Sequence, residues 1–175
     1  MAATREQLFR RLEALGIETT TIEHAPVATV AESHALLGHL PGAHCKSLFI
    51  KDKKKALWLI VSLDRRPLDL NALSRGLGAP RFSFGRPELL WEVLGVTPGS
   101  VSPFALINDT HQRVKPVLDA EVMGAEMVNF HPLKNDATTA IRPDDLRRFV
   151  ADCGHEPIEL DLTPFERPGG AETLE

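Results

Sequence analysis

Tyrosine is absent from this 175-residue sequence, cysteine and tryptophan each occur twice, and aromatic residues make up only 6% of the chain. Cys45 and Cys153 are far apart and form no Cys-x-x-Cys pair, which supports neither a disulfide framework nor a structural zinc site. Long hydrophobic runs are also missing. The longest, Ala56 to Val61, is far short of the roughly 20 residues that cross a bilayer. The opening Met1-Ala-Ala-Thr-Arg-Glu lacks the apolar stretch of a secretory signal, so a cytoplasmic location is expected, with no membrane partner. There is no Gly-x-x-x-x-Gly-Lys phosphate loop, no Gly-x-Gly-x-x-Gly, no His-Glu-x-x-His and no Gly-x-Ser-x-Gly. Nucleotide hydrolysis, dinucleotide redox chemistry, zinc proteolysis and the usual serine hydrolases thereby lose their main support.

What is present fits one ordinary domain. Hydrophobic residues account for 43% and charged residues for 25%, and a chain of this length buries about 70% of its unfolded surface. The net charge of −4 hides a split: residues 40–90 carry ten Lys or Arg against four Asp or Glu, and the rest carries ten against twenty. A basic segment in an acidic protein either attracts a polyanion to one face or is simply solvated.

Thr4 with Gln7, ahead of Leu8, Leu12 and Leu15 and before Gly16, predicts a capped amphipathic helix. Thr29 with Glu32 opens a second, ended by Gly38. Strands are predicted over Ile17–Glu23, Cys45–Lys51 and Ala56–Ser62, the last two joined as a hairpin by Asp52-Lys-Lys-Lys55. Asp69–Leu77 and Pro87–Leu94 read as helices, and Arg81–Phe84, Phe104–Ile107, Val114–Leu118, Met127–Phe130 and Thr138–Ile141 as strands. A helix at Pro143–Cys153 and a last strand within Glu156–Leu162 complete the pattern. The stretch Gly95 to Pro103, with two glycines and two prolines, is a structured loop. Irregular alternation with a hairpin points to an α+β domain, residues 1–162, built on a mixed, mainly antiparallel sheet with surrounding helices. Residues 163–175, rich in Pro, Gly and Glu, read as a flexible tail.

His34, His39 and His44 recur every five residues, which suits neither a helix face nor a strand face, so they make a poor metal site. His111 and His155 read as surface residues, and Trp58 and Trp91 as core. Cys45 beside Lys46 is either an activated thiol or, since strand neighbours point to opposite faces, a small buried one.

Four pieces remain: Lys46 and Lys51 at the two ends of an apolar strand, the Gly99-Ser-Val-Ser-Pro103 loop, and Asn129-Phe-His-Pro132 closing a later strand. With Lys46-Ser-Leu-Phe-Ile-Lys-Asp52 and Ala105-Leu-Ile-Asn-Asp109 in this order and spacing, the sequence resembles the YbaK and prolyl-tRNA synthetase-associated editing domains from about Thr4 to Leu162. Within that family it looks most like the freestanding deacylases that clear alanine from mischarged prolyl-tRNA. The resemblance implies a trans-acting hydrolase of the aminoacyl ester, needing no metal or organic cofactor. It implies Lys46, Gly99 and His131 as the functional centre and Ser47, Ser100, Val101, Ser102 and Pro103 as substrate contacts. Lys51, Lys53 and Arg81 would lie on tRNA(Pro), with prolyl-tRNA synthetase or an elongation factor as transient partners. Ser47, Ala28 and Ala105 stand where asparagine, a larger residue and glycine are usual in the family, and these differences bear on pocket size.

The chemistry agrees with the resemblance. An aminoacyl ester is already activated, so positioning a water and stabilising the oxyanion matter more than a strong nucleophile. Lys46, protonated near neutrality, serves as an anchor for a terminal phosphate rather than as a base. The resemblance implies that the terminal ribose hydroxyl helps the water attack. A synthetic site built for proline cannot strongly reject alanine, because a methylene is worth only about 1–3 kcal/mol. A second, smaller pocket sieves in the opposite sense, with Val27, Val30 and Leu36 as its expected walls. Two rivals stay open: removal of cysteine from the same tRNA, and a non-catalytic tRNA-binding module of the same fold. A thiol-reactive protein centred on Cys45 is a weaker third.

Overall fold

The computed structural model describes residues 1–169. In chain order the elements are α1 (Arg5–Ala14), β1 (Thr20–Glu23), α2 (Val30–Leu37), β2 (Ala43–Asp52), β3 (Leu57–Leu63), α3 (Leu70–Gly76), β4 (Phe82–Phe84) and α4 (Pro87–Leu94). There follow a 3-10 helix (Pro103–Asn108), β5 (Val114–Asp119), α5 (Ala120–Met123), β6 (Val128–Phe130), β7 (Ala137–Ile141), α6 (Pro143–Asp152), β8 (Ile158–Leu160) and a 3-10 turn (Thr163–Phe165). Among the described residues no helix is long and apolar enough to cross a membrane.

The strands join in the order β1-β7-β6-β2-β3-β5-β8, with β4 added to the far end of β2. Pairs β1/β7, β2/β3, β2/β4 and β6/β7 are antiparallel, while β2/β6, β3/β5 and β5/β8 are parallel. The fold is thus α+β with a mixed, mainly antiparallel sheet. Strand β2 links its two halves: Ala43 and His44 pair with β6, and Cys45 onward pairs with β3.

The apolar run in β3 follows from burial on both faces. Leu57, Leu59, Val61 and Leu63 pack into one apolar cluster with Leu8, Leu12, Phe104 and Phe149, whereas Trp58 and Ile60 pack into a second with Leu68, Leu73 and Leu162. Helix α1 enters through the reciprocal capping box, Gln7 N–H donating to Thr4 Oγ1 at 3.1 Å and Thr4 N–H to Gln7 Oε1 at 2.9 Å. At Thr29 half of the box forms: Glu32 N–H donates to Thr29 Oγ1, but the Glu32 carboxylate accepts from Ala28 N–H instead.

Several expectations are corrected. Phe104–Ile107 is 3-10 helix rather than strand, because Pro103 starts a turn that drives Phe104 into the core between Phe130 and Phe149. Trp91 is 58% exposed, since α4 turns Leu90, Val93 and Leu94 inward and leaves position 91 on the outer face. His155 is buried and bonded to Asp109 through Nε2 at 2.8 Å. The tail expected from Thr163 is anchored at its start: Asp69 N–H donates to Phe165 O, Arg167 N–H to Pro67 O, and the buried Arg66 binds Glu166 at 2.5 Å. The rest of that tail, residues 170–175, lies outside the described residues.

Candidate functional site

Five separate segments converge at the start of β2. Cys45, Lys46 and Ser47 come from the strand, Val27, Ala28, Thr29, Val30 and Ser33 from the loop and first turn of α2, Gly99 and Val101 from the loop after α4, and His131 from the end of β6. With Asp64, just past the end of β3, they line a cavity of about 90 Å3 that is open on one side. Sites for drug-sized ligands measure about 300–1,000 Å3, so this cavity takes only a small group.

Each wall is fixed by the local fold. Lys46 is buried because the hairpin register places it opposite Ser62 in the middle of the sheet. Gly99 has φ +88°, a left-handed conformation that favours glycine, and a Cβ there would lie 3.5 Å from Asn135 Nδ2. Val27 is held by two bonds to Asn135: its N–H donates to Asn135 O at 3.2 Å, and its carbonyl accepts from Asn135 Nδ2 at 2.5 Å. Beneath the loop, Ser102 Oγ donates to His131 O at 2.8 Å. Arg5 of α1 donates to the carbonyls of Pro132 and Lys134 and pairs with Asp136, clamping the turn that follows His131. Within that turn Leu133 takes φ +73°, an uncommon conformation for a residue with a side chain.

His131 Nδ1 lies 2.8 Å from Ala137 O. A carbonyl only accepts, so the neutral ring carries its proton on Nδ1 and keeps its lone pair on Nε2. Burial holds the imidazole below its ordinary value; His24 and Arg5 push the same way, against the Ala137 bond and Asp136. Burial pushes the Cys45 thiol well above its usual range, and the carboxylates of Asp64 and Asp119 add to this. A thiol so placed is a poor nucleophile. Among the described residues no three His, Cys, Asp or Glu side chains gather as metal ligands would.

The family model for the aminoacyl-tRNA editing domain matches residues 24–149. The chain belongs to this family. As an editing domain it is 44% identical over 160 residues to prolyl-tRNA synthetase associated domain-containing protein 1 of Danio rerio, covering 90% of this chain and 87% of that protein. It is 32% identical to the prolyl-tRNA editing protein ProX of Acetoanaerobium sticklandii, covering 90% and 97%. A crystal structure described as a candidate trans-editing enzyme for prolyl tRNA synthetase superposes with a TM-score of 0.70 over 93% of this chain and 98% of that one; at 21% identity this speaks for the fold alone.

Of the residues expected in the site, the editing domain brings Val27, Val30, Lys46, Ser47, Gly99, Val101 and His131 to the cavity. Ser100, Ser102 and Pro103 do not line it. They are buried beneath the loop, where Ser102 spends its hydroxyl on His131 O, so they support the wall rather than form it. Leu36 is 41% exposed on the outer side of α2 and is no wall either. Lys51 lies toward the far end of β2, five strand residues or about 17 Å from Lys46, with Lys53 just past that strand and Arg81 just ahead of β4, which pairs with Lys51 and Asp52. Asp64, Thr29 and Ser33 are lining residues that the sequence reading missed. The hairpin register held the signal for Asp64: Asp64 N–H donates to His44 O, so Asp64 lies diagonally across the ladder from Lys46 on the same face.

Proposed function

We propose that this editing domain is a trans-acting deacylase that removes alanine from mischarged tRNA(Pro). The observation that carries the reading is the small cavity in which Lys46, Gly99 and His131 meet the apolar side chains of Val27, Val30 and Val101. The names of the Danio rerio and Acetoanaerobium sticklandii relatives favour a prolyl-tRNA substrate.

In this reading the alanyl methyl enters between Val27 and Val30, and the terminal phosphate meets the Lys46 ammonium. The open Cα of Gly99 lets the ester approach the backbone. Water, assisted by the terminal ribose hydroxyl, attacks the carbonyl; the ester C–O bond breaks, releasing alanine as its carboxylate and restoring the tRNA hydroxyl. The lone pair on His131 Nε2 is available to orient that water. Lys51, Lys53 and Arg81 follow acceptor-stem phosphates, so binding weakens as salt rises. Prolyl-tRNA synthetase and an elongation factor are the transient partners this pathway offers.

The test incubates the protein with alanyl-, cysteinyl- and prolyl-tRNA(Pro). Alanine is lost fast and proline spared, and Lys46→Ala slows the reaction about 10- to 100-fold, the worth of one charge-assisted contact. Faster loss of cysteine would transfer the assignment to that substrate, and binding without hydrolysis would make the protein a tRNA-binding module.

A further inference from the structure

We propose that Asp64 receives the substrate's α-ammonium group and makes the site selective for free aminoacyl esters over N-blocked ones. The proposal rests on the reading that an aminoacyl ester occupies the cavity.

The other buried aspartates serve the fold. Asp52 accepts from the amides of Lys54 and Ala56 and from Trp58 Nε1. Asp109 accepts from the amides of Arg113 and Val114 and pairs with His155. Asp119 takes Leu63 N–H, Glu121 N–H and Arg66 Nε. Asp64 instead lies in the wall of the cavity, its side chain 13% exposed, with His34 Nδ1 3.7 Å away at the rim.

Asp64 and Lys46 give the cavity two opposite charges, set side by side by the β2/β3 ladder. The remaining titratable walls favour their neutral forms, His131 and Cys45 both through burial. The 3′ end of a charged tRNA has the matching pattern, a phosphate on one side of the ester and an α-ammonium on the other. A phosphate toward Lys46 and an ammonium toward Asp64 orient the carbonyl between them. Acylation of the amine removes its charge and with it the charge-assisted contact to Asp64, and the added acyl group displaces water from a mostly buried carboxylate. Peptidyl-tRNA and other N-acylated esters are therefore rejected.

The experiment compares single-turnover hydrolysis of alanyl-tRNA(Pro) and N-acetylalanyl-tRNA(Pro), with binding of non-hydrolysable amide-linked alanyl- and N-acetylalanyl-adenosine measured alongside. Wild type prefers the free amine about 10- to 100-fold. Asp64→Asn brings that ratio close to one in both measurements, and Asp64→Glu, which keeps the charge, restores part of it. Asp64→Asn that slows both substrates equally and preserves the ratio would overturn the proposal, since the carboxylate would then act only through the pocket's structure. Equal hydrolysis of both esters by wild type would overturn it too while leaving the editing function in place. If wild type prefers the free amine in binding but hydrolyses neither ester, the ammonium site stands and the editing reading fails.

Discussion

Substituting Val27→Ala tests the sieve directly. Val27 is 4% exposed and lines the cavity, and its backbone is tied on both sides to Asn135. Truncation therefore enlarges the space rather than letting the wall collapse inward, which is the condition under which a large-to-small change leaves its full cavity. The lost volume is about two methyl groups, comparable to the extra methylenes that distinguish a pyrrolidine from the alanine methyl. At about 1–3 kcal/mol per methylene, relieving the exclusion of even one of them lowers the preference for alanyl over prolyl ester about 10- to 100-fold. The same truncation costs about 2 kcal/mol of stability, or about 4–8 °C in Tm for a domain of this size. Single-turnover deacylation of the two charged tRNAs, well below the melting range, reads the selectivity. Val122→Ala is the control, because Val122 is wholly buried in the core and outside the cavity. It should lower Tm comparably with the preference intact. If Val27→Ala lowers Tm while the alanine-to-proline ratio stays fixed, this wall does not measure the side chain and the size argument fails.

Cys45→Ala should keep most of the deacylase activity, since burial disfavours the thiolate; near-complete loss in the same assay would bring back a cysteine mechanism. On the proposed role of His131 in orienting water, its depressed value should set the acid limb of the pH profile. Its neutral form persists as pH falls past the ordinary imidazole value of about 6.5, and activity is lost only in more acid solution, as the ring takes up its proton. A midpoint at or above the ordinary value would show that His131 is not the group being titrated. His155→Ala removes the charged hydrogen bond to Asp109, at a cost of about 1.5–3 kcal/mol. This lowers Tm by about 3–12 °C, and an unchanged melting curve would refute the structural role of the pair.

Local chemistry in the sequence was enough to place most elements. Thr4 with Gln7, Asp69 before α3, Pro87 and Pro143 at helix starts, and the lysine turn between β2 and β3 act over a few residues, where capping and turn preferences decide the outcome. The resemblance resting on Lys46, the Gly99 loop and His131 also picked out three residues that share one cavity. Where the sequence misleads, side-chain type does not fix position. Phe104 is as apolar as a strand residue but sits in a 3-10 turn packed on Phe130 and Phe149, and Trp91 is as apolar as the core but faces outward. Asp64 shows the same limit in reverse. Nothing beside it in the chain marks it as a cavity wall, and only the β2/β3 register, a contact between residues about twenty positions apart, brings it to the same face as Lys46. Capping and turn signals are local and therefore legible in one dimension; the walls of the cavity come from segments that meet only when the sheet closes.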